Sequence, residues 1–443
     1  MALIESPAGD LVAFLSASPS PYHAVREVSR RLSERGYFEL READAWNLEP
    51  GMRGIVVRGG SSLIAFEAGT HPPAESGFRI VTAHTDSPNL RLRPVQAARF
   101  EGLCVLSIEP YGSPLLHTWC DRDLALAGRV STRGGQSCLV HLNRPVAVIP
   151  SLAIHLQRDI NKEGLKLDPQ SHLRPTISLD RTDIAELAWP ARLIDALKAQ
   201  LVEQGVDDEI GSWDLGLLDA NPAGLVGPGA DLLSGGRLDN LVSCHAAVTA
   251  LTSSTRPTAT TRVIVLYDHE EVGSRTAMGA QSTFLVSVLG RLARGLSPGA
   301  VDAEARATAR SLMLSADMAH GAHPNFPDKH DPHHRPLIGK GTALKTNSNQ
   351  AYATDSTASA VFEAMCHRAQ LPLQHYSARN DIPCGSTVGP ISAARTGIRT
   401  VDIGAPMLAM HGCRELMAVD DISPYAEAMQ KWFEFEQVPD ANQ

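Results

Sequence analysis

The sequence predicts an α/β fold: a mixed, mostly parallel sheet flanked by helices, with a β-rich domain inserted into it. Three observations predict it. Apolar runs of strand length alternate with helically spaced apolar residues near the start and again over the second half of the chain. Between these parts the rhythm changes to short β-rich runs punctuated by glycine. Four of the flanking runs end in histidine or acid residues, where an open α/β sheet places its ligand crevice.

The elements follow in order. Ser20-Pro21 caps a helix to about Glu34, with Tyr22, Val25, Val28 and Leu32 at helical spacing. Gly54 to Val57, Ser62 to Glu67 and Phe78 to Ala83 read as strands. From Arg91 to about Pro150 come the β-rich runs Leu103 to Ile108, Ala125 to Val130, Ser137 to Leu142 and Val146 to Ile149. Polar loop and a helix, Asp183 to Glu203, follow, ending in the Gly-Pro-rich Asn221 to Gly236. The α/β rhythm then returns. Helices are expected over Asn240 to Leu251, Gln281 to Leu296, Asp355 to Ala369 and Pro424 to Phe435, with strands over Arg262 to Tyr267, Leu312 to Ala316 and Ile398 to Ile403. Residues 1–91 and 233–443 are thus expected to form one domain, with 92–232 inserted. A chain of 443 residues exceeds one ordinary core, which agrees.

Composition excludes some functions. A net charge of −9 argues against nucleic-acid binding, which needs basic patches. No uninterrupted apolar stretch reaches the roughly 20 residues that span a bilayer, so no membrane role is expected. Met1-Ala2-Leu3-Ile4-Glu5 lacks the basic-then-apolar pattern of a secretory leader. Seven dispersed cysteines without a Cys-x-x-Cys pair read as reduced thiols, so the expected location is the cytoplasm.

The chemistry lies at the strand ends. Phe78 to Ala83 runs into His84-Thr85-Asp86, Arg262 to Tyr267 into Asp268-His269-Glu270-Glu271, and Leu312 to Ala316 into Asp317. Ile398 to Ile403 leads through a short loop to His411, and Asp239 starts a helix after a glycine pair. Two histidines and three carboxylates suit zinc, with manganese or cobalt as alternatives. Five protein ligands exceed what one catalytic zinc takes, so two divalent ions roughly 3.5–4 Å apart are expected, bridged by Asp239. In an extended segment Glu270 and Glu271 would point to opposite sides, so one can bind metal while the other serves as general base. Asp86, two residues from His84, falls on the same side and can orient its ring.

At these residues the chain resembles the aspartyl aminopeptidase family of two-metal exopeptidases. The resemblance covers nearly the whole chain. It rests on Ser18-Pro19-Ser20-Pro21-Tyr22-His23, Ala83-His84-Thr85-Asp86-Ser87-Pro88, His117-Thr118-Trp119 with Asp121-Arg122-Asp123-Leu124, Asp268-His269-Glu270-Glu271-Val272-Gly273-Ser274, Asp317-Met318-Ala319-His320 and Cys384-Gly385-Ser386-Thr387-Val388-Gly389-Pro390. It implies a zinc-exopeptidase type of sheet and hydrolysis of amino-terminal Asp or Glu residues from peptides. It implies His84, Asp239, Glu271, Asp317 and His411 as metal ligands, Glu270 as general base and Asp86 as the acid that orients His84. It also implies that His155 reaches a neighbouring subunit's active site within a tetrahedral dodecamer of dimers. Lys345 is implied to be the cation for an acidic substrate side chain. The chain departs from the family at Gly412-Cys413-Arg414-Glu415, where serine usually follows the histidine, and at Tyr111-Gly112-Ser113-Pro114, which replaces a more glycine-rich stretch. Both departures leave the ligands unchanged and bear on pocket shape.

Taken alone, His155 follows an apolar run that would place it in a core, and Lys345 would be a solvated lysine. The dense cluster His320, His323, His330, His333 and His334 is interleaved with Pro324, Pro327, Pro332 and Pro336, which mark an irregular loop. Most of these histidines are expected to bind no catalytic metal, with one or two contacting substrate or a neighbouring subunit. Two other functions fit the same metal site. A carboxypeptidase or deacylase would clamp a carboxylate with Arg379 or Arg414. An idle metal-binding scaffold would have lost Glu270 or a ligand, and none is lost.

Overall fold

The computed structural model describes residues 6–93, 98–180, 191–253 and 257–436. Nine strands form the main sheet: β1 (Phe38–Glu39), β2 (Arg53–Arg58), β3 (Ser62–Glu67), β4 (Phe78–His84), β5 (Thr261–Tyr267), β6 (Leu312–Ala316), β7 (Thr342–Lys345), β8 (Leu373–Tyr376) and β9 (Arg399–Gly404). Their spatial order is β1-β2-β3-β5-β4-β6-β9-β7-β8. The four central strands β5, β4, β6 and β9 are mutually parallel, while β3 and β7 pair antiparallel on either side of them. The sheet is therefore mixed with a parallel centre, as its helix-separated strands require.

Both faces of that centre are buried, which explains why its strands read as unbroken apolar runs rather than as alternating ones. Val81, Ala83, Ile264 and Leu266 face a core shared with helices Pro7–Ala17, Pro21–Ser33, Leu238–Ser253, Ser356–Ala369 and Ile422–Phe433. Ile80, Val263, Val265 and Met313 face the opposite core, under helices Phe284–Leu296, Ala303–Ala309 and Val388–Thr396. Local signals set the helix ends. The Ser20 and Asp355 side chains accept from His23 N and Ala358 N, and Pro21 follows its cap directly.

A second, antiparallel sheet has its own core around Leu90, Leu126, Val130, Val140, Leu215 and Leu217. Its order is Ser137–Ala147, Leu124–Thr132, Ile210–Asp219, Asn89–Leu92 and Ile108–Tyr111. A three-stranded sheet (Thr176–Leu179, Leu103–Val105, Ala98–Phe100) adjoins it. The expected strand Leu103 to Ile108 is in fact two, because the chain leaves one sheet at Val105 and enters the other at Ile108. Ile210–Asp219, expected to be loop, is the middle strand; its Gly211, Ser212 and Gly216 dilute the apolar pattern. Of the expected helix Asp183 to Glu203, Ala191–Glu203 is helical and 183–190 lies outside the described residues.

A small five-stranded sheet joins Gly224–Val226, Leu232–Gly235, Glu415–Ala418, Pro406–Leu408 and Ala319–His320. It therefore contains part of the stretch Asn221 to Gly236, expected to be irregular, together with the hairpin that carries His411. No described helix is long and apolar enough to cross a membrane.

Candidate metal centre and active site

The parallel centre of the sheet aims its carboxyl ends at one place. β4 ends in His84, and Asp86 follows within the same buried turn. Asp317 follows β6, its N–H still paired to Ile403 O of β9 at 3.0 Å. Beyond β9, the hairpin between Pro406–Leu408 and Glu415–Ala418 carries His411, which sits at φ 65°. Asp239 enters the helix Leu238–Ser253 with non-helical φ −80° and ψ 109°. Three bonds tie its surroundings to the other strand ends: Ser87 Oγ to Asp239 O (2.5 Å), Asn240 Nδ2 to Ala316 O (2.9 Å) and Cys244 Sγ to His84 O (3.0 Å).

Glu270 and Glu271 do not lie on an extended segment, as expected, but on the 3-10 turn Glu270–Val272, entered through His269 at φ 63°. A turn of three residues still directs neighbours about 120° apart, so the pair divides by a different geometry. Glu270 Oε2 lies 4.0 Å from His84 Nε2, and Glu271 Oε2 lies 3.3 Å from His411 Nε2. Left-handed φ at non-glycine residues costs of order 1–3 kcal/mol each, so His269 and His411 are held there by their surroundings.

The sequence-predicted residues converge. His84 Nε2 is 3.5 Å from Asp239 Oδ1 and 3.6 Å from Asp317 Oδ1. His411 Nε2 is 3.5 Å from the other oxygen, Asp239 Oδ2. Three sets, His84/Asp239/Asp317, Asp239/Glu271/His411 and His84/Glu270/Glu271, each bring their ligand atoms within 4.8 Å of one another and could hold an ion. Asp239 belongs to the first two sets through different oxygens. Its Oδ1 and Glu271 Oε1 are buried without a hydrogen-bond partner. Buried carboxylate oxygens left unpaired are costly unless a cation takes them, so the residues fit a metal centre.

Electrostatics agree. Burial pushes Glu270 up to about 8, with His84 opposing and Asp317 and Asp86 adding to the rise. Burial and Asp239 drive Glu271 well above the usual carboxylate range. Burial also opposes ionisation of Asp239, but the His411 and His84 rings, each 3.5 Å from one of its oxygens, outweigh it and hold this carboxyl well below its usual value. The cluster thus keeps Asp239 as an anion between two histidines, and Asp86 behind His84 is likewise held low, while Glu270 and Glu271 are pushed up for want of positive charge.

The residues that hold this cluster include two that sequence reasoning missed. Asp86 Oδ1 accepts from Glu270 N and its Oδ2 from Glu271 N, each at 3.1 Å, while Tyr111 Oη donates to Oδ2 at 2.6 Å. His84 Nδ1 lies 3.0 Å from Asp86 O and 3.4 Å from Oδ1. Glu415, fully buried, accepts His411 N–H at 2.9 Å and Asp239 N–H at 3.1 Å. His411 Nδ1 is 3.1 Å from Ser113 O. The two segments where the chain departs from the resembling family therefore do more than shape a pocket: they contact Asp86, Asp239 and His411 directly. Only a hairpin returning Glu415 beneath His411 makes this visible, and nothing in a linear reading signals it.

The remaining candidates lie elsewhere. His155 is exposed on the 3-10 turn Ile154–Leu156, not in a core, and Leu152, Ile154 and Leu156 around it are 57%, 47% and 75% exposed. An apolar run before a histidine marks a surface as readily as a core. Lys345 is not solvated: it ends β7 fully buried, donates to Met318 O at 2.9 Å and lies 5.0 Å from the Tyr352 ring centroid. In the histidine-rich loop, His330 Nε2 accepts His323 N–H (3.0 Å) and His334 Nδ1 meets Asp331 (2.9 Å). Its His320, His323, His330 and His334 line a cavity of about 320 Å³ that reaches Met410, beside His411. Arg414 spends all five donors on Asp219, Ser234, Asn221 O and Pro222 O. Arg379 is bidentate to Asp381.

Comparison with known proteins gives the family. A family model described as aminopeptidase I zinc metalloprotease (M18) matches residues 14–433. A probable M18 family aminopeptidase 2 of Streptomyces avermitilis is 45% identical over 416 residues, covering 93% of this chain and 94% of that one. Among solved structures, Ape4 in its complex with Nbr1 superposes with TM-score 0.92 at 36% identity, covering 98% of this chain and 86% of that one. The mApe1 dodecamer of S. cerevesiae superposes with TM-score 0.81 at 28% identity, covering 96% and 95%.

Proposed function

This chain belongs to the M18 family of zinc metalloaminopeptidases, and from that premise we propose that it removes amino-terminal residues, preferably Asp and Glu, from peptides using two divalent metal ions. His84, Asp239, Glu271, Asp317 and His411 would hold the ions, zinc in the first instance. The observation that carries this reading is Asp239, whose two oxygens face two different histidines, one of those oxygens otherwise unpaired.

A metal pair held there supplies Lewis acidity, polarising a carbonyl and acidifying a water. The chain's own residues do the rest. Glu270, beside His84, takes a proton from the attacking water and passes it to the leaving amine. Its carboxylate, pushed up to about 8 by burial, has the proton affinity that a base turned acid needs near neutral pH, and bound cations would draw it downward. Asp86 fixes the His84 ring and the backbone of the glutamate pair. Lys345 would receive the acidic side chain of the substrate.

Assembly completes the reading. The chain forms a homo-oligomer, a tetrahedral dodecamer of dimers, in which His155 reaches a neighbour's site and stabilises the oxyanion there. The dodecameric mApe1 relative supports this, as does the exposed apolar turn around His155. Residues 92–232, whose sheet also takes in the strand Asn89–Leu92, would form the inserted domain that presents that turn. All seven cysteines are free, which suits the cytoplasm.

The carboxypeptidase alternative is disfavoured because both candidate clamps, Arg414 and Arg379, are engaged within the chain. Stripping metal with a chelator, restoring zinc, manganese or cobalt, and comparing Asp-, Glu- and Leu-anilides with amino-blocked peptides tests the proposal. Activity should vanish and return with metal, on free amino termini and fastest on Asp or Glu. Cleavage of blocked substrates, or activity indifferent to chelation, refutes it.

A further inference from the structure

We propose that Tyr111, which belongs to the second sheet and not to the ligand-bearing one, is a positioning residue of the active site, acting through Asp86. The inference rests on the metallopeptidase reading above, because it concerns the groups that Asp86 holds.

Four groups meet the Asp86 carboxylate. Glu270 N–H and Glu271 N–H bond to it at 3.1 Å each, His84 Nδ1 lies 3.4 Å from Oδ1, and Tyr111 Oη donates to Oδ2 at 2.6 Å. Three of these are hydrogen bonds to the carboxylate, whereas the His84 ring nitrogen lies nearer the Asp86 backbone O, at 3.0 Å, so the orientation of the carboxylate is shared chiefly by the two glutamate N–H groups and the phenol. If it turns, a candidate ligand, the candidate base and their backbone turn with it. Of the three donors, Tyr111 alone comes from a separate sheet, so it alone ties the carboxylate to something outside the cluster.

The phenol is itself fixed. Tyr111 ends the strand Ile108–Tyr111, its residue is buried, and the Arg91 guanidinium lies 3.7 Å from its ring centroid. The backbone that follows is fitted to the same cluster. Gly112 stands at φ +70°, which disfavours a side chain, and a Cβ placed there would fit tightly, 3.2 Å from Glu271 Cβ and 3.3 Å from Pro88 Cγ. Ser113 O lies 3.1 Å from His411 Nδ1, and Leu115 N–H bonds His411 O at 2.9 Å. One stretch, 111–115, thus touches both ends of the cluster, by a hydroxyl at the His84 end and by backbone at the His411 end. Since only the hydroxyl can be removed without disturbing the backbone, Tyr111 is where the idea is testable.

Tyr111→Phe deletes the hydroxyl and leaves the ring against Arg91. The full-length protein, in whatever assembly it purifies, is compared with wild type, Asp86→Asn and the double variant. The measurements are melting temperature, zinc retained against a graded chelator, and kcat and KM on an Asp-anilide. Supporting residues around a metal typically govern 10- to 100-fold in affinity or activity. We expect Tyr111→Phe to lower kcat by about tenfold or more, to leave KM within about threefold, and to release zinc at about tenfold lower chelator, with melting little changed. In the Asp86→Asn background the same change should cost nothing further, because its route is already cut. Zinc retention and kcat both within about twofold of wild type overturn the proposal, as do losses that multiply in the double variant or a fall in melting temperature alone. If wild type cleaves no amino-terminal anilide, the proposed function fails, while zinc retention still judges Tyr111.

Discussion

Glu270→Gln separates the roles assigned within the glutamate pair. The substitution keeps the volume and the backbone N–H that bonds Asp86 Oδ1 at 3.1 Å, and removes only the capacity to take a proton. General acid–base catalysis contributes about 10²- to 10⁴-fold, so kcat should fall by that factor, roughly 3–5 kcal/mol of barrier, with zinc content unchanged. Stability should move the other way in the metal-free protein. Burial raises the Glu270 carboxyl from 4.5 to about 8. A carboxyl whose folded pKa lies above its unfolded one binds its proton more tightly when folded, so its ionisation drains stability as pH rises from 4.5 through about 8. At pH 7 that drain has a ceiling of about 3 kcal/mol, which a neutral amide escapes. The metal-free variant should therefore melt above metal-free wild type at pH 7, and the advantage should close below pH 4.5. Anilide turnover, zinc per chain and melting of the chelator-treated proteins at pH 4.5 and 7 measure these effects. Turnover within about tenfold of wild type would remove Glu270 as the base, since no general base is worth so little. A metal-free variant less stable at pH 7 would refute the electrostatic account of the cluster.

Two further predictions concern Lys345, the proposed partner of an acidic substrate side chain, and the N-terminal helices. Lys345→Met keeps an unbranched chain in the buried slot below Met318 O. It should cost about 10- to 100-fold in kcat/KM on Asp- and Glu-anilides, the worth of one charge-assisted bond, and spare the Leu-anilide; equal losses on all three would make Lys345 merely structural. His23, fully buried and 2.7 Å from Ser20 Oγ, has its pKa pushed down to about 3 by burial, with nearby Arg26 adding to the fall. It contributes stability above its unfolded value of 6.5 that is lost as pH falls, about 1.4 kcal/mol by pH 5.5. Melting of wild type should accordingly drop more between pH 7.5 and 5.5 than that of His23→Gln, and parallel curves would show that His23 is not the group responsible.

What the sequence reveals and what it hides have a physical basis. The parallel strands are legible because both of their faces are buried, so that Val263 to Leu266 form one apolar block, and because His84, Asp268 and Asp317 punctuate the ends. Ile210–Asp219 is hidden because its glycines, Gly211 and Gly216, lie where the neighbouring strand and Asn89 come close, so that close packing removes the apolar side chains by which a strand is recognised. β7 and β8 are hidden by brevity, at four residues each. The candidate ligands are legible one at a time, since each needs only a residue type at an element end.

Glu415 and Tyr111 are illegible for a deeper reason. Neither is chemically unusual where it stands, and each acts through a partner remote in sequence: Asp239 is 176 residues before Glu415, and Asp86 is 25 before Tyr111. A ligand is specified by what a metal requires, which is general chemistry. Its supporting groups are specified by which chain segment happens to pass behind it, which is topology. In this fold the segments behind His84 and His411 come from the second sheet and from a hairpin of the small sheet, so the geometry of the cluster depends on packing between sheets that no local pattern encodes. Substitutions at Glu415 or Tyr111 should therefore disturb metal retention while leaving every ligand in place, which is also why a chain could preserve the full ligand set and still lose its function.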